Sequence, residues 1–571
     1  MSRNKVFSIF SFSTLIVVVL SALFTVPALA DSGTTVPSGA PSTSTTQRNA
    51  RHAPSSSNNL SQLPSGTKVV IVDDSGNNVP LGSQAAQDIL TSGDPIWCPS
   101  TVKTPIAGLG GCSPAFFNTS LYTLTYVVTY GWWMPAVTNS TIWITSGADS
   151  SASDINLDGN ALPLPIANLK NFTLTLNGGW TGVGATLNPA APSTFNNVEI
   201  EVTHWNNNIA LNNLVVNNST FEGIRVATSK NIKLTNIQSH NAASNGVVLD
   251  TTSGTDGSVT VTNSSFTNAS GTGLGIGASG AVTLTNITAT NNFSGVFIQN
   301  DYQGMGHPQN VIMLGTNNVS SNAGDGLDVQ TYGAITINNL TADGLGEGDG
   351  ANLYYGSHDI TGNVTLTGVN NFDFNINYGL NIVSKGTVVA SNLNAFGNEF
   401  TGVSIVNTAG TGAVTLNGNN TFTRTTGGNG LYIASHSLIT ANNITASNNY
   451  YGGVNLITTA GVKLTGLNVF YNTTAGDGLD ITSTGVVSVS NIIADTNYYD
   501  GLYVSSASKL TVTCGSFHNN GTVYGYGWET LSGVPSITVT GADYGGNFSG
   551  NFYTNGGPVP TQVTKVCTTV P

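Results

Sequence analysis

Gly223-Ile-Arg-Val226, Gly246-Val-Val-Leu249, Gly273-Leu-Gly-Ile276 and Gly295-Val-Phe-Ile298 open a run in which one phrase, Gly-apolar-x-apolar, keeps returning. It recurs at Gly326, Gly350, Gly379, Gly402, Gly430, Gly453, Gly478 and Gly501, at intervals of 22 to 31 residues. A constant strand core between turns of unequal length is what a solenoid produces. Side chains alternate across a strand, so Leu327 and Val329, or Leu479 and Ile481, face a common core while x faces outward. Stacked at the inter-strand spacing, twelve such coils would make a rod on the order of 60 Å long.

A second strand signal lies between these phrases, as in Ile232-Lys-Leu-Thr-Asn-Ile237 and Val282-Thr-Leu-Thr-Asn-Ile287. The residue that follows its strand is Asn236, Asn263, Asn286, Asn339, Gly368, Asn392, Gly418, Asn443, Gly466 or Asn491. Every one is Asn or Gly, the two residues that enter left-handed backbone most cheaply. The column therefore predicts a repeated turn, and stacked Asn amides there would hydrogen-bond from coil to coil.

Composition agrees with β structure. Only 8% of residues are charged and 68 are Gly, which leaves few helix formers to cover a helical surface. The chain carries 15 basic and 28 acidic residues, and loss of Arg3 and Lys5 would leave 13 basic. Nucleic acid needs clustered cations on its phosphates and is excluded as a partner. Polyanionic polysaccharides are disfavoured for the same Coulombic reason unless Ca²⁺ intervenes, so neutral glycans and surface proteins remain.

Residues 1–30 read as a secretory signal peptide: Arg3 and Lys5, an apolar stretch from Val6 to Val26, then Ala28-Leu29-Ala30. No other stretch reads as a membrane span, so no membrane insertion is expected after signal removal. Residues 31–60 form a Ser/Thr/Pro linker too polar to fold. Residues 61–140, with Trp97, Trp132 and Trp133, read as an N-terminal cap over the first hydrophobic layer. The β-helix proper is placed at 141–508, and the closing coils and C-terminal cap at 509–571. Four cysteines, Cys98, Cys112, Cys514 and Cys567, fall as one pair near each end. They read as local disulfides Cys98–Cys112 and Cys514–Cys567, although four cysteines permit three connectivities.

The coil pattern, with its entry Thr141-Ile-Trp-Ile144 and Leu174-Thr-Leu-Asn-Gly-Gly-Trp180, resembles the pectin lyase-like superfamily over residues 140 to 540. The resemblance implies an all-β fold: a right-handed parallel β-helix solenoid with N- and C-terminal caps. It is especially similar to the repeat-containing surface proteins of bacteria. It does not fix an activity, because this fold hosts lyases, hydrolases and adhesins alike.

Asp325-Gly-Leu-Asp328, one coil before Asp349, is similar to the acidic motif of polygalacturonases, where paired carboxylates protonate a leaving oxygen and activate water. The rest of that pattern is absent. Ala323-Gly324 stands for Asn-Thr, Gly348 for the first Asp of the pair, Tyr378 for the His, and no Arg-x-Lys follows. Asp477-Gly-Leu-Asp480 repeats the motif with Asp500 one coil on, which points to turn chemistry. Arg225 and Arg424, the arginines of the coils, are read as lying away from acidic clusters. The seven histidines show no metal-ligand spacing. Cofactors are therefore expected to be none, with Ca²⁺ the only candidate. The outward column of the Gly phrases includes Phe297, Tyr432, Asp480 and Tyr503, aromatics among polar side chains that suit neutral sugars. The expectation is a secreted or cell-surface, non-catalytic adhesin or matrix protein. A polysaccharide-degrading enzyme using Asp325, Asp328 and Asp349, and a passive spacer, are the alternatives.

Overall fold

The computed structural model describes residues 95–106, 110–113, 135–149 and 154–564, apart from 183, 303–306, 345, 355–361, 532–533, 556 and 559. Residues 71–72, 78–79 and 567 are also described. The signal peptide, the linker, Trp132 and Trp133 lie outside the described residues.

Each coil contributes strands to three parallel ladders. In the first, Leu174, Ile209, Ile232, Val259, Val282 and Val311 stand in register, and the row continues through Ile335 to Val487, Leu510 and Ile537. The chain then bends and enters the second ladder, where Leu214 pairs with Ile237 and Asn468 with Ile492. The third ladder is a sheet of 16 strands that includes every Gly phrase. Twelve strands of it carry the phrase. The other four, Ile155–Asp158, Ile200–Trp205, Tyr526–Thr530 and Gly550–Thr554, extend the solenoid at both ends. The coils are thus more numerous than the phrase alone implies.

Inward residues of all three ladders form one continuous apolar column, with Leu327, Val329, Leu479 and Ile481 fully buried. Backbone groups pair with the coils above and below, as buried polar backbone requires.

The bend between the first and second ladders is the Asn/Gly column. All ten of its sequence-identified residues hold φ between 46° and 75°. Gly315 (φ 74°), Cys514 (φ 59°) and Gly541 (φ 63°) extend it. Amide-to-amide bonds occur here at Asn236–Asn213 (2.9 Å) and Asn286–Asn263 (2.8 Å). From Asn286 to Asn491, Asn and Gly alternate strictly, and Cys514 then stands where a glycine would fall. A Cβ at Gly368, Gly418 or Gly466 would sit 2.1 Å from Oδ1 of Asn339, Asn392 or Asn443 in the preceding coil. Each Asn amide folds over the glycine above it, and its Nδ2 can reach that below, as from Asn392 to the Gly368 carbonyl (2.9 Å).

The alternation runs through the whole coil. Glycine coils read Val364-Thr-Leu-Thr-Gly-Val-Asn-Asn-Phe372, Val414-Thr-Leu-Asn-Gly-Asn-Asn-Thr-Phe422 and Val462-Lys-Leu-Thr-Gly-Leu-Asn-Val-Phe470. Asparagine coils read Val388-Val-Ala-Ser-Asn-Leu-Asn-Ala395, Ile439-Thr-Ala-Asn-Asn-Ile-Thr-Ala446 and Val487-Ser-Val-Ser-Asn-Ile-Ile-Ala494. Buried Phe372, Phe422, Phe470 and Phe517 therefore alternate with buried Ala395, Ala446 and Ala494. Large rings set against methyl groups interdigitate without voids. The structural unit is a pair of coils.

A second polar column, mostly asparagine, lies inside the turn that leads to the third sheet, with Thr425 and Thr473 taking two of its rungs. Asn375, Asn398, Asn449, Asn497 and Asn520 are buried there. Asn398 Oδ1 accepts from the Asn375 backbone (2.9 Å) and its Nδ2 donates to the Phe372 carbonyl (2.8 Å). The same pair of bonds recurs at Asn520, which serves Asn497 and the Ala494 carbonyl. Sequence reading placed the stacked amides at the outer bend, whereas burial makes the inner turn the obligatory one. Unpaired backbone groups there would each cost about 1–3 kcal/mol.

At the N-terminal end, Ile96–Pro99 pairs antiparallel with Ser140–Thr145. The Cys98–Cys112 disulfide (2.06 Å), Trp143 and Trp180 form a second small cluster there. At the other end, Cys514–Cys567 ties the chain terminus to the bend column. Among the described residues no helix is long and apolar enough to cross a membrane.

Candidate functional site

Asp325 and Asp349 sit at the mouths of successive strands of the third sheet, and their side chains act on the wall itself. Asp325 Oδ1 accepts the Asp349 N–H (2.8 Å), and Asp349 Oδ1 accepts the Tyr378 N–H (3.1 Å). The same staircase recurs three coil pairs later. Asp477 accepts from Asp500 (2.8 Å), and Asp500 from Tyr526 (2.6 Å). Two copies of one capping arrangement support a structural part for these carboxylates. Asp328 lies three residues beyond Asp325, on the outward face. Gln330 donates to its Oδ2 at 3.3 Å, while Oδ1 is buried without a hydrogen-bond partner.

Burial dominates the electrostatics of this row. It raises Asp349 to about 7, with Asp325 and Asp328 adding repulsion against the Tyr378 hydrogen bond. Asp328 is raised to about 6, again by burial and then by Asp325. Asp500 is raised to about 8 by burial and by the charge of Asp477, and it shares a hydrogen bond with Glu529. Among the described residues no group of three or more His, Cys, Asp or Glu side chains is placed to hold a metal ion.

Phe297, Tyr432, Asp480 and Tyr503 all occupy the outward column of the third sheet, in the register the Gly phrases imply. Phe297 pairs with Gly275 and Asp328, Tyr432 with Ser404 and Asn455, and Asp480 with Asn455 and Tyr503. Each is partly buried among its neighbours. Burial pushes the Tyr432 and Tyr503 hydroxyls up, and Asp480 adds to the effect on Tyr503. They stay protonated donors through the neutral range.

A row of exposed aromatics stands at the edge of that sheet, in the turn that enters it. Phe400, Tyr451 and Tyr499 fall in alternate coils, with Gly428 and Gly476 between them and Gly525 in the coil after Tyr499. A Cβ at Gly428 would lie 2.7 Å from the Phe400 carbonyl, so the intervening turns can pass only as glycine. Each rung is a perpendicular pair: Tyr378–Phe400 at 5.0 Å, Tyr450–Tyr451 at 5.0 Å and Tyr498–Tyr499 at 4.8 Å. Tyr451 is 56% exposed and Tyr499 41%. Two coils separate the rungs by roughly 10 Å. Asn429 and Asn455 lie on the sheet beside them. Aromatic doublets immediately before a Gly phrase, Tyr450-Tyr451-Gly452 and Tyr498-Tyr499-Asp500-Gly501, are the sequence signal for this row.

Arg225 departs from the sequence reading. Its guanidinium lies 3.3 Å from Glu222 and 3.9 Å from Glu201, across neighbouring coils. Glu199 joins this group, raised to about 7 by burial and then by Glu222, Glu201 and Asp154. The coil register that brings these side chains together begins at Ile155 and Ile200, strands without a Gly phrase. Arg424 instead lies over the Phe396 ring, 5.1 Å from its centre.

Residues 378–544 match the family model described as a right handed beta helix region. This covers both the aromatic rungs and the second aspartate staircase. It agrees with the resemblance to pectin lyase-like repeats and makes the solenoid a right-handed parallel β-helix. Comparison with curated proteins and with solved structures gives no match.

Proposed function

We propose that this right-handed β-helix protein works outside the cell as a non-catalytic binder of neutral glycans, gripping an extended chain along one edge of its third sheet. The observation that carries the reading is the row of exposed aromatic pairs at Phe400, Tyr451 and Tyr499. A soluble protein that only spaces two objects has no use for such a row, since exposed aromatic patches favour association. Pyranose rings present C–H faces that stack on aromatics, with hydroxyls left to meet Asn and Asp beside them. A spacing of roughly 10 Å between rungs suits every second sugar of an extended chain. The acidic net charge of −13 favours neutral chains over polyanions. The amino-terminal signal pattern and the two disulfides support export.

The test is binding of the protein to a panel of neutral polysaccharides, with release of reducing sugar followed in the same samples. Binding without turnover is expected. Tyr451→Ala and Tyr499→Ala should each weaken it about tenfold, the equivalent of roughly 1.4 kcal/mol for a lost stacking partner. Unchanged affinity in both variants would sink the reading.

A hydrolytic reading has one observation in its favour, the Glu199 carboxyl raised to about 7 beside Glu201, Glu222 and Arg225. Glycosidases need such an acid. Sugar release that disappears in Glu199→Gln, or in Asp325→Asn or Asp349→Asn, would put catalysis in place of simple binding.

A further inference from the structure

The outward face of the third sheet has a gap where Gly275 and Gly277 stand between Val248 and Asp250 on one side and Phe297 and Gln299 on the other. Glycine in a strand interior costs stability and is usually explained by a bend or a close backbone contact. Neither applies to Gly275. A Cβ there would meet only the Val247 carbonyl, at 3.9 Å, an ordinary contact. The glycines of the Gly phrases differ sharply, for a Cβ at Gly273 or Gly295 would come within 2.5 Å of neighbouring atoms. The missing side chain at 275 instead leaves a hollow of about 280 Å³. Phe297 and Tyr302 wall it, with Val248 and Asp250 opposite.

These walls are braced. The Tyr302 hydroxyl donates to Gln299 Oε1 (2.8 Å), which holds the ring over the glycine floor. Asp250 Oδ1 accepts from both the N–H (2.8 Å) and the hydroxyl (2.7 Å) of Thr252, which fixes the carboxylate at the rim. A depression just under the usual small-ligand range, with two aromatic walls and a few oriented polar groups, has room for a single sugar ring.

We infer that this hollow binds one neutral pyranose unit, its apolar face against Phe297 and Tyr302 and its hydroxyls toward Asp250. The inference rests on the glycan reading but uses a different part of the molecule from the aromatic rungs. It gives the protein a pocket for a terminal or branching sugar apart from the edge that follows the chain.

Gly275→Val fills the floor with a side chain suited to a strand, so the variant should fold with an unfolding temperature at or above the parent's. The probes are the methyl glycosides of glucose, galactose, mannose and xylose, titrated by ligand-observed NMR with the full chain. Binding of at least one is expected. It should weaken at least tenfold in Gly275→Val and in Phe297→Ala, and stay unchanged in Tyr451→Ala. No binding of any probe to the parent, or equal binding by Gly275→Val, would overturn the pocket. Polysaccharide affinity that still depends on Tyr451 would leave the wider glycan reading standing in that event. Loss of both would end both.

Discussion

Gly418→Asn is expected to destabilise the protein by about 3 kcal/mol or more, although asparagine holds the equivalent turn one coil away at Asn443. Backbone conformation is not the reason, since Asn and Gly both sit at this bend with positive φ. The obstacle is Asn392, whose Oδ1 lies 2.1 Å from where the new Cβ would be. That amide cannot simply swing away. It accepts from the Asn419 N–H (3.1 Å) and donates to the Gly368 carbonyl (2.9 Å). Asn392→Gly is expected to cost only about 1–2 kcal/mol, because it loses these bonds and adds no clash. The double variant Asn392→Gly/Gly418→Asn should recover most of the loss, since two successive asparagines are accommodated at Asn263 and Asn286. Chemical denaturation with hydrogen exchange across residues 388–447 would read both the size and the place of the effect. Additive single effects, with no rescue in the double variant, would mean the two residues do not interlock.

The same column marks how far the sequence can be read unaided. That Asn and Gly shared one register was plain, and so was its cause, because left-handed backbone is a property of single residues. That they alternate for a reason was not plain. Their difference lies in what the coil below places over them, a contact between residues about 25 positions apart. The Phe/Ala alternation of the core has the same origin. Ala395 and Phe422 look like unrelated apolar choices until stacking sets one against the other. The strands without a Gly phrase were missed because their entry turns differ, and Ile200–Trp205 lies among them. With it went the neighbourhood of Arg225.

Site residues divide along the same line. Phe297, Tyr432, Asp480 and Tyr503 fall in one outward column because strand alternation is strict and needs no knowledge of turns. The rungs at Phe400, Tyr451 and Tyr499 lie in turns of unequal length, where no period fixes register. Their alignment follows from backbone bonds such as Tyr499 N–H to the Gly476 carbonyl (3.2 Å), which only the folded chain displays. The hollow at Gly275 was hidden for another reason. In a sequence with 68 glycines, one glycine held open for space looks like any other.

Stability should fall by a few kcal/mol as pH rises from about 5 to 8.5, the reverse of what a protein held by ionised carboxylates would do. Asp328 and Asp373 are raised to about 6, Asp349 to about 7 and Asp500 to about 8, against 3.8 for an unperturbed aspartate, and burial leads the causes in every case. The folded chain therefore holds more protons than the unfolded chain between these values. Their stabilising contribution is fully present below about pH 4 and is lost as pH climbs through 6 to 8. Asp500 should contribute most, being only 5% exposed. Its hydrogen bond to Glu529 requires one proton between the two carboxyls. The Asp500–Glu529 pair therefore accounts for the largest share of the loss. The half-buried aspartates add less, because solvent screens them. Asp500→Asn keeps an oxygen for the Tyr526 N–H and offers Glu529 a permanent N–H donor in place of the shared proton. This variant should be more stable than the parent at pH 8.5, and its denaturation midpoint should change less between pH 5 and 8.5. A parent midpoint that rises over that interval would show instead that these aspartates are ionised in the fold and held by partners that favour the charge.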